Sequence, residues 1–383
     1  TVNRQSGLLK PELNNSNILG SSISIPYYKV ISDNKDFTFR PTIFDKDIKM
    51  FQNEYRQVNK NSSLTIDFGY TDGYQSTLSN KKNSISHIFA KFDANLVLDK
   101  FRNSDFFLQI QKVSNDTYLK VFDGNLFRSK VHPENFNILN SEAKLSLEHE
   151  KYNFTTGFQS FENLQLTSSD RYQYILPYYN FDRRVFNDFE YGVLNFSSSG
   201  TNDLNNTNNL KTKIINNFNF SSSDFITNRG FKNNYNLYFR NLNIYATNDS
   251  KYKSSPQIEL MNIVEFNSSL PLINMNEKNV DYLTPKISFR FNPGDMKNYS
   301  ESDRFINADN IFNVDRLSLD DSFEEGKSVT VGLDYKKNDL NNINKYFEAK
   351  IATVLRDDEE NFIPKKSGIN NKNTNLFGSI TNN

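Results

Sequence analysis

Hydrophobic and polar residues alternate along most of this chain with a period of two, which is the spacing of a β-strand with one apolar face. Between Leu64 and Tyr70 every second residue is apolar, and a longer stripe runs from Ile88 to Leu98. Similar runs lie at residues 143–147, 287–291, 329–335 and 347–351. Because no comparable run has a helical period, we predict an all-β protein of antiparallel strands.

The length and spacing of these runs favour a membrane-spanning barrel. The longest runs reach about ten residues, the length of a tilted strand that crosses a bilayer. They recur about every 20 residues, which predicts on the order of 18 strands joined by turns and loops. The same alternation would also suit a soluble β-sandwich, whose apolar face is its core. The long strands and the lack of a clear linker favour one transmembrane β-barrel domain over residues 1–383.

Two polar segments are interpreted as connections. Asp72-Gly73 is a hairpin turn signal directly after an alternating run. Ser197 to Asn219 is a run of Ser, Asn and Thr with little pattern, which we interpret as a long loop, with an interdomain linker as the alternative.

Composition narrows the class of protein. Aromatic residues make up 14% of the chain, with 34 Phe and 20 Tyr but no Trp, while hydrophobic residues reach only 36%. No apolar run approaches the roughly 18 residues of a membrane-spanning helix, which excludes a helical membrane protein. The 45 basic and 45 acidic residues balance, so a polyanionic partner such as nucleic acid is disfavoured. The chain starts at Thr1 without a leader, so the protein is either cytosolic or has a targeting signal farther upstream.

Few residues are candidates for chemistry. The chain has no Cys, which removes disulfides and thiolate metal sites, and its three His are far apart in sequence, at His87, His132 and His149. We expect each His in a strand or loop, and we expect no catalytic residue, metal or cofactor. An outer-membrane lipase or acyltransferase would require the fold to bring a Ser and a His together.

Two acidic clusters are expected in solvated loops. The first comprises Asp320, Asp321, Glu324 and Glu325, and the second spans residues 357–360. A divalent cation or a glycolipid contact is the alternative interpretation.

Proline placement marks a weak point in the predicted sheet. Pro11 and Pro26 each interrupt a strand-like segment near the start of the chain. Proline has no N–H, so it removes a ladder hydrogen bond. The two neighbouring strands would therefore pair weakly, unless they form an ordinary edge that is protected from aggregation.

The opening stretch, Ser6 to Arg56, contains in order the motifs G-[FL]-L-x-P, P-Y-Y, D-x-T-x-x-P and E-[FY]-R. With these motifs it resembles the start of the barrel domain of the LptD family, the outer-membrane LPS-assembly proteins also called OstA or Imp. Leu270 to Asn298 and Ile311 to Tyr335 resemble the family's LtPk and nR-x-x-x-x-D-x-x-E-x-G blocks, in an alphaproteobacterial-like form. Val354 to Ile369 resembles the stretch before the closing strands.

The resemblance implies a transmembrane β-barrel of about 26 strands that inserts lipopolysaccharide into the outer leaflet of the bacterial outer membrane. In the family the barrel opens between its first and last strands, and prolines in the first two strands weaken that seam. Pro11 and Pro26 match those motif positions and would mark the lateral gate, with Tyr27 and Tyr28 beside it. The implied partners are lipopolysaccharide, an LptE-like lipoprotein plug, an LptA-like periplasmic bridge protein and outer-membrane lipids.

The chain also departs from the family. No periplasmic jelly-roll precedes the first motif, no Cys is available for the family's disulfides, and no terminal aromatic strand precedes Asn383. We therefore expect a partial barrel, cut at both ends, that acts in transport without catalysis. The alternatives are another outer-membrane barrel, such as a porin or a nutrient-uptake receptor, and a soluble secreted β-rich adhesin or binding module.

Overall fold

The computed structural model describes residues 4–75, 82–126, 129–166, 169–342, 344–372 and 375–383. These residues form 22 β-strands and one α-helix of five residues. The strand pairs whose register is resolved are all antiparallel. The prediction of an all-β antiparallel fold is confirmed, and the strands outnumber the 18 or so expected from sequence spacing. No helix in the described ranges is long and apolar enough to cross a membrane.

The strands are numbered in chain order. The first eleven are β1 (Gly7–Leu8), β2 (Glu12–Ser16), β3 (Gly20–Ser24), β4 (Tyr27–Ser32), β5 (Lys35–Phe44), β6 (Lys49–Val58), β7 (Ser62–Tyr74), β8 (Asn83–Asn95), β9 (Asn103–Val113), β10 (Ile138–Glu148) and β11 (Tyr152–Asn163). The others are β12 (Tyr172–Asp188), β13 (Gly192–Asn205), β14 (Asn209–Ser222), β15 (Phe225–Ile226), β16 (Lys232–Thr247), β17 (Gln257–Ser269), β18 (Leu272–Met275), β19 (Asn279–Asn292), β20 (Gly326–Asp339), β21 (Tyr346–Arg356) and β22 (Phe377–Asn382). The helix α1 is Tyr118–Phe122, and two 3₁₀ turns lie at Ser169–Arg171 and Lys365–Ser367.

The chain divides into two compact units. The first unit comprises Thr1–Phe181, Ser199–Lys213 and Ile244–Pro256. The second unit comprises Asp182–Ser198, Ile214–Asn243 and Gln257–Asn383.

In the first unit, β4 to β11 form a meander in which each strand pairs with the next. The segment between β9 and β10, residues 114–137, contains α1 and packs on one side of these strands. Three buried side chains of α1, Tyr118, Leu119 and Phe122, lie in a core with residues of the strands. Phe122, for example, contacts the rings of Phe44 and Tyr74 edge-on.

In the second unit, β17, β19, β20, β21 and β22 pair in that order. The segment between β19 and β20, residues 293–325, packs together with the residues that follow β21. They are joined by backbone hydrogen bonds, such as Tyr299 N to Phe362 O at 2.9 Å. Their buried apolar side chains form a core with Ala352 and Val354 of β21.

Two predictions about connections were wrong. Asp72-Gly73 lies inside β7, where the register shifts between Thr71 and Tyr74 and Gly73 has a φ of 81°, so the pair forms a β-bulge. The predicted loop of residues 197–219 lies mostly in β13 and β14. These strands are joined by a tight turn at Asn206 and Thr207, both with positive φ.

Candidate functional site

Several strands of the first unit bury polar residues on one face and expose apolar residues on the other. The inner face also contributes some apolar residues, such as Phe44, Met50 and Phe89, to the core around α1. On one face of β5 to β8, Asp36, Thr42, Gln52, Asp67 and Thr71 are all at most 3% exposed. The opposite face presents large apolar side chains, which are Ile43, Phe51, Phe68, Tyr70 and Ile88. Phe68 is 42% exposed although Asp67 beside it is fully buried.

The second unit shows the same inverted arrangement. Ser288, Arg290 and Asn292 of β19 are buried, whereas Phe289 and Phe291 between them are 48% and 41% exposed. The next two strands, β20 and β21, continue the buried polar face and the exposed apolar face. Buried polar residues of β20 and β21 are Ser328, Thr330 and Arg356, and exposed apolar residues are Val331, Leu333, Ile351 and Leu355.

An apolar outer face is stable only if something other than water covers it. Exposing that much apolar surface to water is unfavourable, and large exposed apolar patches mark protein or membrane contacts. In transmembrane β-barrels, the lipid-facing residues are apolar and the inward-facing residues are polar. The sequence predicted the alternation, but it left open which set of residues is buried.

The two prolines of the predicted gate lie in one interruption of the ladder, with Pro26 opposite Leu9. β1 pairs with β4 through Leu8 and Tyr27, and β2 pairs with β3 through Glu12 and Ser24. Both strands break between these two pairs, at residues 9–11 and 25–26, where Pro11 and Pro26 provide no N–H. Leu9 N donates to Pro26 O at 2.8 Å within this break. We call this break the proline seam.

The two tyrosines after Pro26 lie on opposite faces of β4. Tyr27 pairs with Phe39 on the apolar face and is 41% exposed. Tyr28 pairs with Thr38 on the polar face, and its hydroxyl accepts a hydrogen bond from Arg4 Nε at 3.0 Å. The structure therefore brings Pro11, Pro26 and Tyr27 together at the seam, while Tyr28 faces inward.

A second feature is a buried charge cluster in the second unit, which we call the Glu324 cluster. The carboxylate of Glu324 is 2% exposed and is bound by Arg290 of β19, Arg356 of β21 and Arg316 of the β19–β20 segment. Arg316 Nε donates to Glu324 Oε2 at 2.7 Å, and the same guanidinium also donates to Ser328 of β20. Residues of two strands and one connecting segment thus meet at one carboxylate, and Arg316 connects it to a third strand through Ser328.

Electrostatics keep Glu324 ionised. Burial by itself raises the pKa of a carboxyl group, but the three guanidinium groups around Glu324 more than offset this and hold its pKa well below the ordinary 4.5. The neighbouring acid Asp321 is also buried and accepts a hydrogen bond from Tyr299. Burial and this bond raise the pKa of the Tyr299 phenol, so it remains a donor.

The expectation of a solvated loop was therefore wrong for Asp321 and Glu324, because their charges are matched by buried donors. It was right for residues 357–359 of the second acidic cluster, which are exposed. The sequence did contain a signal. Arg316, Asp321, Glu324 and Gly326 are the R, D, E and G of the nR-x-x-x-x-D-x-x-E-x-G block, and the spacing of that block is what lets Arg316 reach back to Glu324.

A third feature connects α1 to the polar face of the first unit. His87 Nε2 lies 3.0 Å from Asp67 Oδ1, and His87 Nδ1 lies 2.8 Å from the hydroxyl of Tyr118. An ionised carboxylate can only accept, so Nε2 donates to Asp67, and in a neutral imidazole Nδ1 then accepts from the Tyr118 hydroxyl. Gly69 makes room for the imidazole, because a Cβ there would lie 2.3 Å from the ring of His87.

The sequence did not predict this network, since the three histidines are widely separated in the chain. His87 lies in β8, and His132 and His149 lie in connecting segments, as expected. His132 approaches the same core, with its ring 5.7 Å from that of Phe89. Across the described ranges, no group of three or more metal-binding side chains comes together.

Comparison with known proteins finds a distant relative among curated proteins. No model of a protein family matches the sequence. Among curated proteins, the chain is similar to the LPS-assembly protein LptD of Idiomarina loihiensis, with 25% identity over 202 residues. The match covers 52% of this chain and 24% of that relative, so the chain corresponds to a minor part of the relative's length.

Proposed function

We propose that this chain is part of an outer-membrane β-barrel that transports lipopolysaccharide and inserts it into the outer leaflet, without catalysis. The observation that carries the proposal is the inverted sheet, with polar residues buried and a broad apolar face exposed in both units. Such a face suits a bilayer, and a polar interior suits a saccharide. The likeness to an LPS-assembly protein favours lipopolysaccharide over other cargo.

The proline seam marks the proposed lateral gate, which in the family opens between the first and last strands of the barrel. A closed barrel has no free edge, so a lipid leaves sideways only where the ladder lacks hydrogen bonds. At the seam, two neighbouring segments each lack a backbone N–H, one at Pro11 and the other at Pro26, at nearly the same height along the strands. Tyr27, on the apolar face beside this break, is positioned to contact a lipid that leaves the interior.

The proposed partners are those of a lipopolysaccharide export route. The polar interior would receive an LptE-like lipoprotein plug, and an LptA-like periplasmic bridge would deliver the lipid. No nucleotide-binding motif occurs in the sequence, so the energy would come from a separate ATPase.

The test is photo-crosslinking in cells that make the full-length protein. A photoreactive residue replaces Tyr27 at the seam. In a matched control it replaces Tyr70, which lies on the apolar face of β7 and is 49% exposed against 41% for Tyr27. We expect lipopolysaccharide to attach at Tyr27 and to disappear when the inner-membrane ATPase is depleted, while any crosslink at Tyr70 does not depend on the ATPase.

Other outcomes would favour other functions. An assembled protein without an ATPase-dependent crosslink at Tyr27, but with solute uptake in vesicle swelling assays, would be a porin or a nutrient receptor. A protein that stays in solution without detergent would be a soluble β-rich binding module.

A second test restores the missing donors. Replacing both Pro11 and Pro26 by Ala returns two N–H groups to the seam, which we expect to slow export of lipopolysaccharide. Pro285→Ala is the control, because Pro285 lies within β19, which pairs with β17, β18 and β20. Equal effects of the two variants would contradict the gate.

A further inference from the structure

The apolar face of the second unit contains a groove of about 550 Å³ across β17, β19, β20 and β21. Register places Phe266, Phe289, Val329 and Leu355 directly opposite one another in four successive strands. These side chains form one continuous apolar row. A row of this kind fits an extended hydrocarbon chain, which needs apolar contacts and no specific hydrogen bonds.

One end of the groove carries two opposite charges. Lys327 lies opposite Phe291, one residue after the start of β20, and Asp357 follows the last residue of β21. Both side chains line the groove, and they are 68% and 46% exposed. The ammonium of Lys327 also lies 5.9 Å from the centre of the Phe291 ring. The charges therefore lie where the strands leave the apolar band.

The two charges are only loosely paired. Lys327 Nζ and Asp357 Oδ2 are 3.8 Å apart, whereas charge-assisted hydrogen bonds measure about 2.7–2.9 Å. Such an exposed pair contributes little to stability. Each group therefore remains available to a ligand of opposite charge, at little cost to the fold.

We propose that this groove is a binding site for a zwitterionic glycerophospholipid of the phosphatidylethanolamine type. Lys327 binds the phosphate, Asp357 binds the ammonium group, and an acyl chain lies along the row from Phe289 to Leu355. A cation beside an anion matches a head group that carries a phosphate and an ammonium on one short linker. An anionic lipid would instead meet the repulsion of Asp357. The inference rests on the proposed function, because it requires this face to lie in a membrane.

The test is lipid retention by the full-length protein in native mass spectrometry. The protein is delipidated in detergent and titrated with phosphatidylethanolamine and with phosphatidylglycerol of the same acyl chains. We expect the wild type to bind phosphatidylethanolamine about tenfold more strongly than phosphatidylglycerol. This is the effect of one charged hydrogen bond gained or lost. The main variant exchanges the two charges, Lys327→Asp with Asp357→Lys, which keeps the net charge and the pair but reverses its direction.

The control exchanges a different exposed pair, Lys366 and Asp303, which lies in the connecting segments. We expect the control to keep the wild-type preference and the Lys327/Asp357 exchange to lose it. Circular dichroism checks that each variant is folded, and the single variant Lys327→Ala provides a second measurement if the exchange does not fold.

The outcomes separate this inference from the proposed function. Retention of both lipids with equal strength by the wild type, or an unchanged preference in the exchange variant, would overturn the head-group site alone. If the folded protein retains neither lipid, the membrane location proposed above fails together with the site.

Discussion

Replacing Glu324 by Gln should destabilise the second unit strongly. The amide keeps the size of the side chain but removes the negative charge that Arg290, Arg316 and Arg356 share. Glu324 and all three arginines are less than 10% exposed, so water cannot replace the lost partner. Removing one member of a buried ion pair costs about 3–5 kcal/mol, because the remaining charge stays buried without compensation. We expect a loss of free energy of unfolding in that range.

The measurement is a urea titration of the protein refolded in lipid vesicles, with proteolysis of residues 293–325 as a local probe. Glu301→Gln is the control, because Glu301 pairs with Lys365 at the surface and its side chain is 83% exposed. Glu324→Asp keeps the charge but shortens the side chain, so its loss should be intermediate. If Glu324→Gln shifts the titration no more than Glu301→Gln does, the cluster does not hold the segment in place.

The same cluster predicts a pH dependence. The pKa of Glu324 is lower in the folded protein than its ordinary 4.5, so its contribution to stability is complete above pH 4.5. The contribution is lost as the pH falls from that value towards the folded pKa. The difference in stability between wild type and Glu324→Gln should be constant at about pH 6–8 and should shrink in acid. A difference that is unchanged at pH 3 to 4 would contradict this assignment.

Three further predictions concern other parts of the fold. Phe289→Arg should lower the free energy of unfolding by about 2–4 kcal/mol if this face lies in a bilayer, and by little if the protein is soluble. Urea titration in vesicles would measure the change. Tyr118→Phe should lower the free energy of unfolding by about 1–3 kcal/mol, because the buried Nδ1 of His87 loses its hydrogen-bond partner. Thermal unfolding would detect the loss, and an unchanged midpoint temperature would argue against the network. Gly326→Ala should cost about 1–3 kcal/mol, because Gly326 has a φ of 85°; Gly378→Ala, where a Cβ meets nothing closer than 3.6 Å, should change the same midpoint much less.

The sequence predicted strands well where apolar and polar residues alternate. The runs around Leu64 and Ile88 lie in β7 and β8. It failed where a strand has few apolar residues on either face, as in most of residues 197–219. There the strands are joined by amide and hydroxyl side chains, such as Ser198 and Asn216 at 2.8 Å. A pattern search that relies on hydrophobicity detects no strand in such a segment.

The sequence predicted less of the candidate site than of the strands. Pro11 and Pro26 were identified because a missing N–H is a property of the residue itself, and it needs no tertiary contact. The acidic cluster around Glu324 was interpreted as a solvated loop. The block pattern includes Arg316, but nothing near the four acids indicates Arg290 and Arg356. These two arginines lie in strands 34 and 32 residues away in sequence.

The buried polar faces explain why two connecting segments are long. A buried charge or imidazole is costly unless a partner is bound to it. In the first unit, Tyr118 of the β9–β10 segment supplies the partner for His87. In the second unit, the β19–β20 segment supplies both Arg316 and Glu324 to strand residues that include Arg290. Each segment also brings its own apolar core against the strands. The segments therefore complete the interior that the strands, with many of their apolar residues turned outward, leave unfinished. Shortening either segment would leave buried polar groups of the strands without partners.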